Sequence, residues 1–228
     1  DDIDAIDSAM RLGYNWRYGP FELLDRLGVE WFVERLKQDK KPVPEFFGNS
    51  QSLYRTDAGV SQYKAITGHY LPLHRAEGVL LLSDIKLQKP ALLENKSASL
   101  WDIGDGVVCL EFHSKMNTQN PDSMALIQQS IGKITAEYKG LVIYNEGEHF
   151  SAGADLTMLA PALLQHDMEI VKTIVQLGQN TFKALKYAPF PVVAAPSGLA
   201  LGGGCEILLH CDAIQAHAEL YMGLVEVG

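Results

Sequence analysis

The sequence predicts an α/β fold preceded by a small all-α segment. Three observations carry that reading. From residue 98 onward, short apolar runs alternate with helix-like periodicity in the repeated order strand, loop, helix. Residues 1–36 place Ile3, Ile6 and Met10 at helical spacing. One stretch, Pro196-Ser197-Gly198-Leu199-Ala200-Leu201-Gly202-Gly203-Gly204-Cys205-Glu206, sets three consecutive glycines between a strand-like run and an apolar run.

The first helix starts among the aspartates Asp1, Asp2 and Asp4, and Gly13 is placed to end it. Gly19-Pro20 starts a second helix, Phe21 to Leu27, which Gly28 closes, and a third runs from Val29 to Leu36. Lys37 to Pro44 is charged and proline-bearing, the texture of a boundary. Asn49, Ser50, Gly59 and Gly68 break up the next stretch, and Gly78-Val79-Leu80-Leu81-Leu82 is expected to be a short buried element. Gln88-Lys89-Pro90 to Asn95-Lys96-Ser97 reads as an interdomain linker. The expected organisation is therefore a helical segment over 1–40, a connecting region over 41–97 and an α/β domain over 98–228.

In that domain, Ser99 to Trp101 and Val107 to Phe112 flank the turn Gly104-Asp105-Gly106 and predict a hairpin. Pro121-Asp122 starts a helix with Met124, Ile127 and Ile131 on its core face. Leu141 to Tyr144 reads as a buried strand, and Ala152-Gly153-Ala154-Asp155-Leu156 is expected to open a helix, which Asp155 helps to start. A long helix comes next with Ile170, Ile174, Leu177, Phe182 and Leu185, and Pro189-Phe190-Pro191 stops it. Then come a strand at 191–195, the glycine loop, a helix from Glu206 and a strand-like piece at Ala213 to Ala216. Two small-residue loops, 151–154 and 202–204, thus come after strands and can converge on one crevice.

Composition narrows the function. Nineteen Lys and Arg stand against 28 Asp and Glu, a net charge of −9, which does not indicate a nucleic-acid surface. No apolar run approaches the ~20 residues that span a bilayer. The opening Asp1-Asp2-Ile3-Asp4 is no signal peptide, and the lack of an initiating Met suggests a piece of a longer protein. Three cysteines without C-x-x-C spacing suit a reducing compartment, hence a cytoplasmic location, and argue against zinc or a disulfide framework. His210 and His217 have no metal spacing with acidic partners, so no metal site is expected. Cys205 reads as an inert small residue and His149 as a solvated histidine or, on the resemblance described below, one at the edge of a bound coenzyme.

The glycine stretch carries the chemistry. Glycines let another group approach the backbone closely, and the first amides of a helix lack intrahelical partners. Such a loop can hold an oxygen that becomes anionic during a reaction. A glutamate two positions after the last glycine, past Cys205, suits a site in which a proton moves beside that oxygen.

Four segments resemble the crotonase superfamily, the enoyl-CoA hydratase/isomerase fold of repeated β-β-α units: His149-Phe150-Ser151-Ala152-Gly153-Ala154-Asp155-Leu156, Gly198 to Glu206, Met222-Gly223-Leu224-Val225-Glu226-Val227-Gly228 and, more weakly, Leu110 to Thr118. The resemblance covers about residues 98–228 and stops soon after Glu226, short of the family's last elements. It implies that Glu206 and Glu226 are the catalytic carboxylates and that the amides of Ala154 and Gly203 form the oxyanion hole. Ser151, Ala152, Gly153, Asp155, Lys115, Asn117 and Gly202 would contact the substrate or its coenzyme A. His113-Ser114 replaces an Arg-Pro pair common in the family. Both carboxylates together favour hydration of a 2-enoyl-CoA, with Glu226 giving a proton to C2 and Glu206 taking one from water, or with the roles exchanged. Like charges close together oppose double ionisation, so such a pair can divide into acid and base. An isomerase or thioester hydrolase on the same fold, or a non-catalytic acyl-CoA-binding module, are the alternatives.

Asp4-Ala5-Ile6-Asp7-Ser8-Ala9-Met10, Leu12-Gly13 and Gly19-Pro20-Phe21-Glu22-Leu23-Leu24-Asp25 resemble the C-terminal helical domain of 3-hydroxyacyl-CoA dehydrogenases, over about the first 40 residues. No G-x-G-x-x-G fingerprint precedes it. The two resemblances together imply a multifunctional β-oxidation protein, oligomeric when intact. They imply an acyl-CoA substrate, no cofactor for these residues, NAD only for a dehydrogenase part outside them, and weak activity for the 228 residues alone.

Overall fold

The computed structural model describes residues 2–48, 50–158 and 160–227. Asp1, Asn49 and Gly228, which the sequence reading places at a helix start, in a stretch interrupted by turn residues and at the end of a motif, lie outside them. The chain divides into two compact units, residues 1–88 and 89–228.

The first unit opens with α1 (Ile3–Tyr14), whose start is capped by the Asp2 carboxylate accepting the Asp4 N–H at 2.9 Å. The helix does not stop at Gly13 but one residue later, with Asn15 in the left-handed region. A Cβ at Gly13 would meet nothing within 4 Å, so helical geometry passes through this open position. α2 (Pro20–Leu27) and α3 (Val29–Gln38) come next, separated by Gly28 at φ 96.

The Asp-x-Ala-Met and Gly-Pro-Phe-Glu strings have one physical link. Asp7, fully buried, accepts the N–H groups of Phe21 (2.9 Å) and Glu22 (2.8 Å), so a carboxylate from α1 caps α2. It also accepts the Tyr54 hydroxyl at 2.7 Å. A Cβ on Gly19 would collide with Asp7, which explains the glycine there.

Residues 41–97 are more than a connection. They form β1 (Tyr54–Asp57), β2 (Val60–Lys64) and β3 (Tyr70–Pro72), an antiparallel sheet in the order β1-β2-β3, and then α4 (Leu82–Gln88). The Ala58-Gly59 pair, both at positive φ, makes the two-residue hairpin turn. Strands as polar as Tyr-Arg-Thr-Asp do not announce themselves by hydropathy. Gly78–Leu82 is not a buried element: Val79 and Leu80 are about half exposed, and only Leu82, at the start of α4, is buried. Ile3, Val29, Phe47 and Leu53 form this unit's core.

The second unit begins at Lys89, ahead of the expected boundary, because β4 (Leu93–Glu94) pairs with β5. The expected hairpin is β5 (Ala98–Gly104) with β6 (Val107–Phe112). The turn residues Gly104, Asp105 and Gly106 all take positive φ. α5 (Pro121–Glu137) is capped by the Asn120 side chain, which accepts the Ser123 N–H at 3.0 Å. β7 (Gly140–Ile143), α6 (Ala160–Leu164), α7 (Met168–Lys186), β8 (Val192–Ala194), β9 (Leu199–Leu201), α8 (Gly203–Leu209), β10 (Ala213–Ile214) and β11 (Tyr221–Gly223) complete it.

Six strands lie in the order β10-β8-β7-β6-β5-β4, parallel from β10 to β6 and antiparallel beyond, while β9 and β11 form a separate parallel pair. Alternate residues such as Val108, Leu110, Phe112, Leu141 and Ile143 enter a core with Leu126, Ile127 and Ile134 of α5. Among the described residues no helix is long and apolar enough to cross a membrane, and no cluster of three or more His, Cys, Asp or Glu could hold a metal ion.

Two expectations fail here. Ala152 to Leu156 does not open an α-helix; it is an extended loop ending in one 3-10 turn, Leu156–Met158. Gly153 at φ 98 breaks helical geometry, and the amides of Ala152, Gly153 and Asp155 bond to neighbouring chain instead of to a helix. The helix after the glycines begins at Gly203, not Glu206, because Leu199–Leu201 is a strand and the turn is confined to Gly202.

Candidate active site

The site is built where β9 hands over to α8. Gly202 has φ 50 and ψ −122, a conformation that only glycine takes without strain. Its N–H donates to Gly223 O at 2.9 Å, which ties it to the end of β11. The chain then turns through Val225–Val227 and brings Glu226 back over Gly202, so that a Cβ there would collide with the Glu226 carboxylate. Gly203 is the first residue of α8 and Glu206 the fourth. Glu206 Oε2 lies 3.8 Å from where a Cβ of Gly203 would sit. Two exposed carboxylates therefore stand over two adjacent glycines.

The second loop is stitched to β9. Ser151 N donates to Leu199 O and Leu201 N donates to Ser151 O, both at 2.9 Å. A Cβ at Gly153 would lie 2.8 Å from Leu201 O, and one at Gly204 would lie 2.7 Å from Ser151 O. Both approaches are backbone against backbone, and only glycine permits them. Gly153 O accepts from Gln119 N (2.7 Å) and Asp155 N donates to Gln119 O (2.9 Å). The alternate amide, that of Ala154, consequently faces away from Gln119. It lies 3.4 Å from the Cβ position of Gly203. Among the described residues neither the Ala154 nor the Gly203 N–H has a hydrogen-bond acceptor. Two unspent donors and two carboxylates thus share one small region, the arrangement that a developing oxyanion with nearby proton transfer requires.

The remaining candidates take varied positions. Lys115 and Asn117 lie in the 3-10 turn Lys115–Asn117, with Met116 and Asn117 at positive φ. Met116 O accepts from Ala152 N at 3.1 Å, and Asn117 Nδ2 donates to His149 O at 2.8 Å. The turn is thereby held against the 149–153 loop, while the Lys115 side chain is exposed. Ser151 is fully buried and its hydroxyl donates to Asn117 O at 2.7 Å, so it fastens the loops together. Asp155 Oδ1 accepts from Thr157 N (3.0 Å) and Thr157 Oγ1 (2.6 Å), which starts the 3-10 turn. Cys205 is buried, and burial, then the charges of Glu206 and Glu226, push its thiol pKa up, away from nucleophilic reactivity. His149 is half-buried, with Nδ1 enclosed and unbonded beside Gly198.

Gln119 escaped the sequence reading. It is buried, holds the 153–155 backbone from both sides, and donates from Nε2 to Asn117 O at 3.2 Å. It orients the free Ala154 amide, yet nothing in a Thr-Gln-Asn string distinguishes it from a loop glutamine. Also unforeseen is a cavity of about 170 Å³ that reaches from Ala154, Gly203 and Glu206 to Met124, Met158, Ile174, Gly178 and Phe182. A roomier hollow of about 640 Å³ between Tyr144, Glu148, Ser197, Gln215 and His217 contains neither carboxylate nor either free amide. The chemistry favours the smaller space.

Comparison with known proteins identifies the family of both parts of the chain. Residues 102–227 match the enoyl-CoA hydratase/isomerase family, and residues 2–61 match the 3-hydroxyacyl-CoA dehydrogenase C-terminal domain. The "Probable 3-hydroxyacyl-CoA dehydrogenase" of Bacillus subtilis (strain 168) is 38% identical over 234 residues, covering 100% of this chain and 29% of that protein. The "Fatty acid oxidation complex subunit alpha" of Vibrio cholerae is 36% identical over 102 residues, 43% of this chain and 14% of that protein. The chain thus spans less than a third of the length of the curated relatives it matches. Among solved structures, the enoyl-CoA hydratase of Bacillus anthracis superposes with a TM-score of 0.53 at 28% identity, over 58% of this chain and 52% of that one. DspI of Pseudomonas aeruginosa gives 0.54 at 28%, over 61% and 54%. The chain belongs to the enoyl-CoA hydratase/isomerase (crotonase) family, joined behind a 3-hydroxyacyl-CoA dehydrogenase C-terminal domain.

Proposed function

We propose that this chain adds water across the C2–C3 double bond of a 2-enoyl-CoA. The observation that carries the reading is the convergence of Glu206 and Glu226 on Gly202 and Gly203, beside the unspent amides of Ala154 and Gly203. In this reading the thioester oxygen accepts from the two amides. Glu206 takes a proton from water as the oxygen attacks C3, and Glu226 delivers a proton to C2. The negative charge that builds on the thioester oxygen meets fixed donors, each worth about 3–4 kcal/mol of barrier. Acyl-CoA is the small-molecule partner, and no cofactor takes part in the step.

The larger protein, in the same proposal, oxidises the 3-hydroxyacyl-CoA product with NAD bound outside these residues, acts in fatty-acid β-oxidation and assembles as a homo-oligomer in the cytoplasm. Its support is the dehydrogenase C-terminal domain match and the names of the relatives. Three free cysteines fit a reducing compartment.

The test is hydration of a short trans-2-enoyl-CoA by the whole gene product beside its Glu206→Gln variant, monitored by loss of the conjugated thioester absorbance. A hydratase loses about 10²–10⁴-fold in turnover when one proton-transfer group is removed. An intact rate in the variant would point to double-bond isomerisation through Glu226 alone. Absence of turnover in both, with the thioester bound, would make the domain a binding module.

A further inference from the structure

A mid-helix glycine with no packing reason lines the candidate site. Gly178 lies in the third turn of the 19-residue α7 and is buried. Glycine there weakens a helix relative to alanine. Close helix approach does not explain it. A Cβ on Gly178 would meet a single atom within 4 Å, the terminal methyl of Met124 at 3.5 Å, an ordinary contact with the flexible end of a side chain. What the missing side chain leaves is space. Gly178 borders the cavity of about 170 Å³ that begins at the Ala154 and Gly203 backbone and at Glu206. The cavity's far wall is apolar: Met124 and Phe182 are nearly fully buried, Ile174 and Met158 half-buried. α5 and α7 are held in register beside it by Gln128 Nε2 donating to Thr181 Oγ1 at 2.8 Å. This wall cannot collapse freely onto the gap.

We infer that Gly178 is a specificity-determining residue that keeps the site open to acyl chains longer than four carbons, with Met124 and Phe182 as the surface on which their tails rest. The inference rests on the acyl-CoA reading of the site. It concerns which chains are taken, and a bulkier residue at 178 acts by filling the tail's space. Contacts at the thioester, with Ala154, Gly203 and the two carboxylates, stay as they are.

Binding is the readout that separates this inference from the reaction itself. The whole gene product, Gly178→Ala and Gly178→Leu are titrated calorimetrically with butanoyl-, octanoyl- and dodecanoyl-CoA, and the hydration of the matching 2-enoyl-CoAs is measured in parallel. Each methylene excluded from an apolar site weakens binding about fourfold, from ~0.8 kcal/mol per methylene. Gly178→Leu is expected to bind octanoyl-CoA at least tenfold more weakly than the unaltered protein while binding butanoyl-CoA within about twofold. Gly178→Ala, which the helix accepts readily, is expected to shift in the same order by less. Should Gly178→Leu not fold, a chain-length shift in Gly178→Ala alone supports the inference and its absence overturns it. Equal losses at every chain length, or none at any, overturn it as well. If acyl-CoA binds with the expected length dependence but no enoyl-CoA is hydrated, the hydratase reading fails and the role of Gly178 stands. If no acyl-CoA binds at any length, both fail.

Discussion

Replacing Gly202 by alanine separates the backbone's role from that of the carboxylates. The new methyl would collide with the Glu226 carboxylate, and the residue would have to hold φ 50 and ψ −122. The backbone strain alone costs about 1–3 kcal/mol, or roughly 2–4 °C of melting temperature per kcal/mol in a domain of this size. The collision adds a functional term. Glu226 must swing off Gly202, which removes one of the two proton-transfer groups and lowers turnover by about 10²–10⁴-fold. Gly203→Ala acts otherwise. Its methyl meets Ala154 N at 3.4 Å and Glu206 Oε2 at 3.8 Å, a snug fit that costs little stability but fills the space between the two amides. We therefore expect Gly202→Ala to lower both melting temperature and enoyl-CoA hydration, and Gly203→Ala to abolish hydration with a nearly unchanged melting temperature. Differential scanning fluorimetry and the thioester absorbance assay read both quantities from one preparation. Hydration by Gly202→Ala within threefold of the unaltered protein would refute the placement of Glu226 as a reacting group.

Two further expectations concern stability. Asp7→Ala leaves the Phe21 and Glu22 amides and the Tyr54 hydroxyl without their buried acceptor, at a cost of roughly 3–5 kcal/mol. Urea unfolding monitored by Trp16 and Trp31 fluorescence should show the loss in the first unit; an unchanged midpoint would remove Asp7 from its structural role. Burial, with the charge of Asp212 adding to it, pushes the Cys211 thiol up to about 12 from an ordinary 9.0. A folded pKa above the unfolded one gives stability that is complete below about pH 9 and disappears as pH rises towards 12. Cys211→Ala should flatten the fall in urea midpoint between pH 9 and 11, and an equally steep fall would contradict the assignment.

Much of this site can be read before any coordinates, because its demands are local. Three glycines and a glutamate in series, and a second small-residue loop after a strand, state that backbone must come close and that a carboxylate stands by. Helix ends are legible for the same reason: Gly28, Pro121-Asp122 and the Pro189–Pro191 stop each act within a few residues. The hidden features depend on distant partners. β9 and β11 have three residues each, too few to show a period, and their pairing with the turn that follows brings Glu226 over Gly202. The 152–156 loop has helix-forming composition, yet Gln119, more than 30 positions earlier, claims its backbone. Gln119 has no signature because the bonds that hold the 153–155 backbone are made by its main-chain atoms, which every residue owns.

The glycines show how the two kinds of information combine. By residue type alone Gly202, Gly203 and Gly204 are equivalent, and only the family resemblance sets Gly203 apart as an oxyanion-hole amide and Gly202 as a substrate contact. In space each answers a different neighbour: Gly202 yields to the Glu226 carboxylate, Gly203 leaves the gap beside the Ala154 amide, and Gly204 admits the Ser151 carbonyl. Gly153 meets the Leu201 carbonyl from the other side. A side chain at 204 would part the loops, one at 202 would displace a carboxylate, and one at 203 would fill the place where an oxyanion must sit. The first is a folding constraint, the second and third are chemical ones. Their distinct penalties, separable by melting temperature and turnover, make the reading of this loop as an oxyanion site testable residue by residue, since a loop that served only as a tight turn would respond to all three substitutions through stability alone.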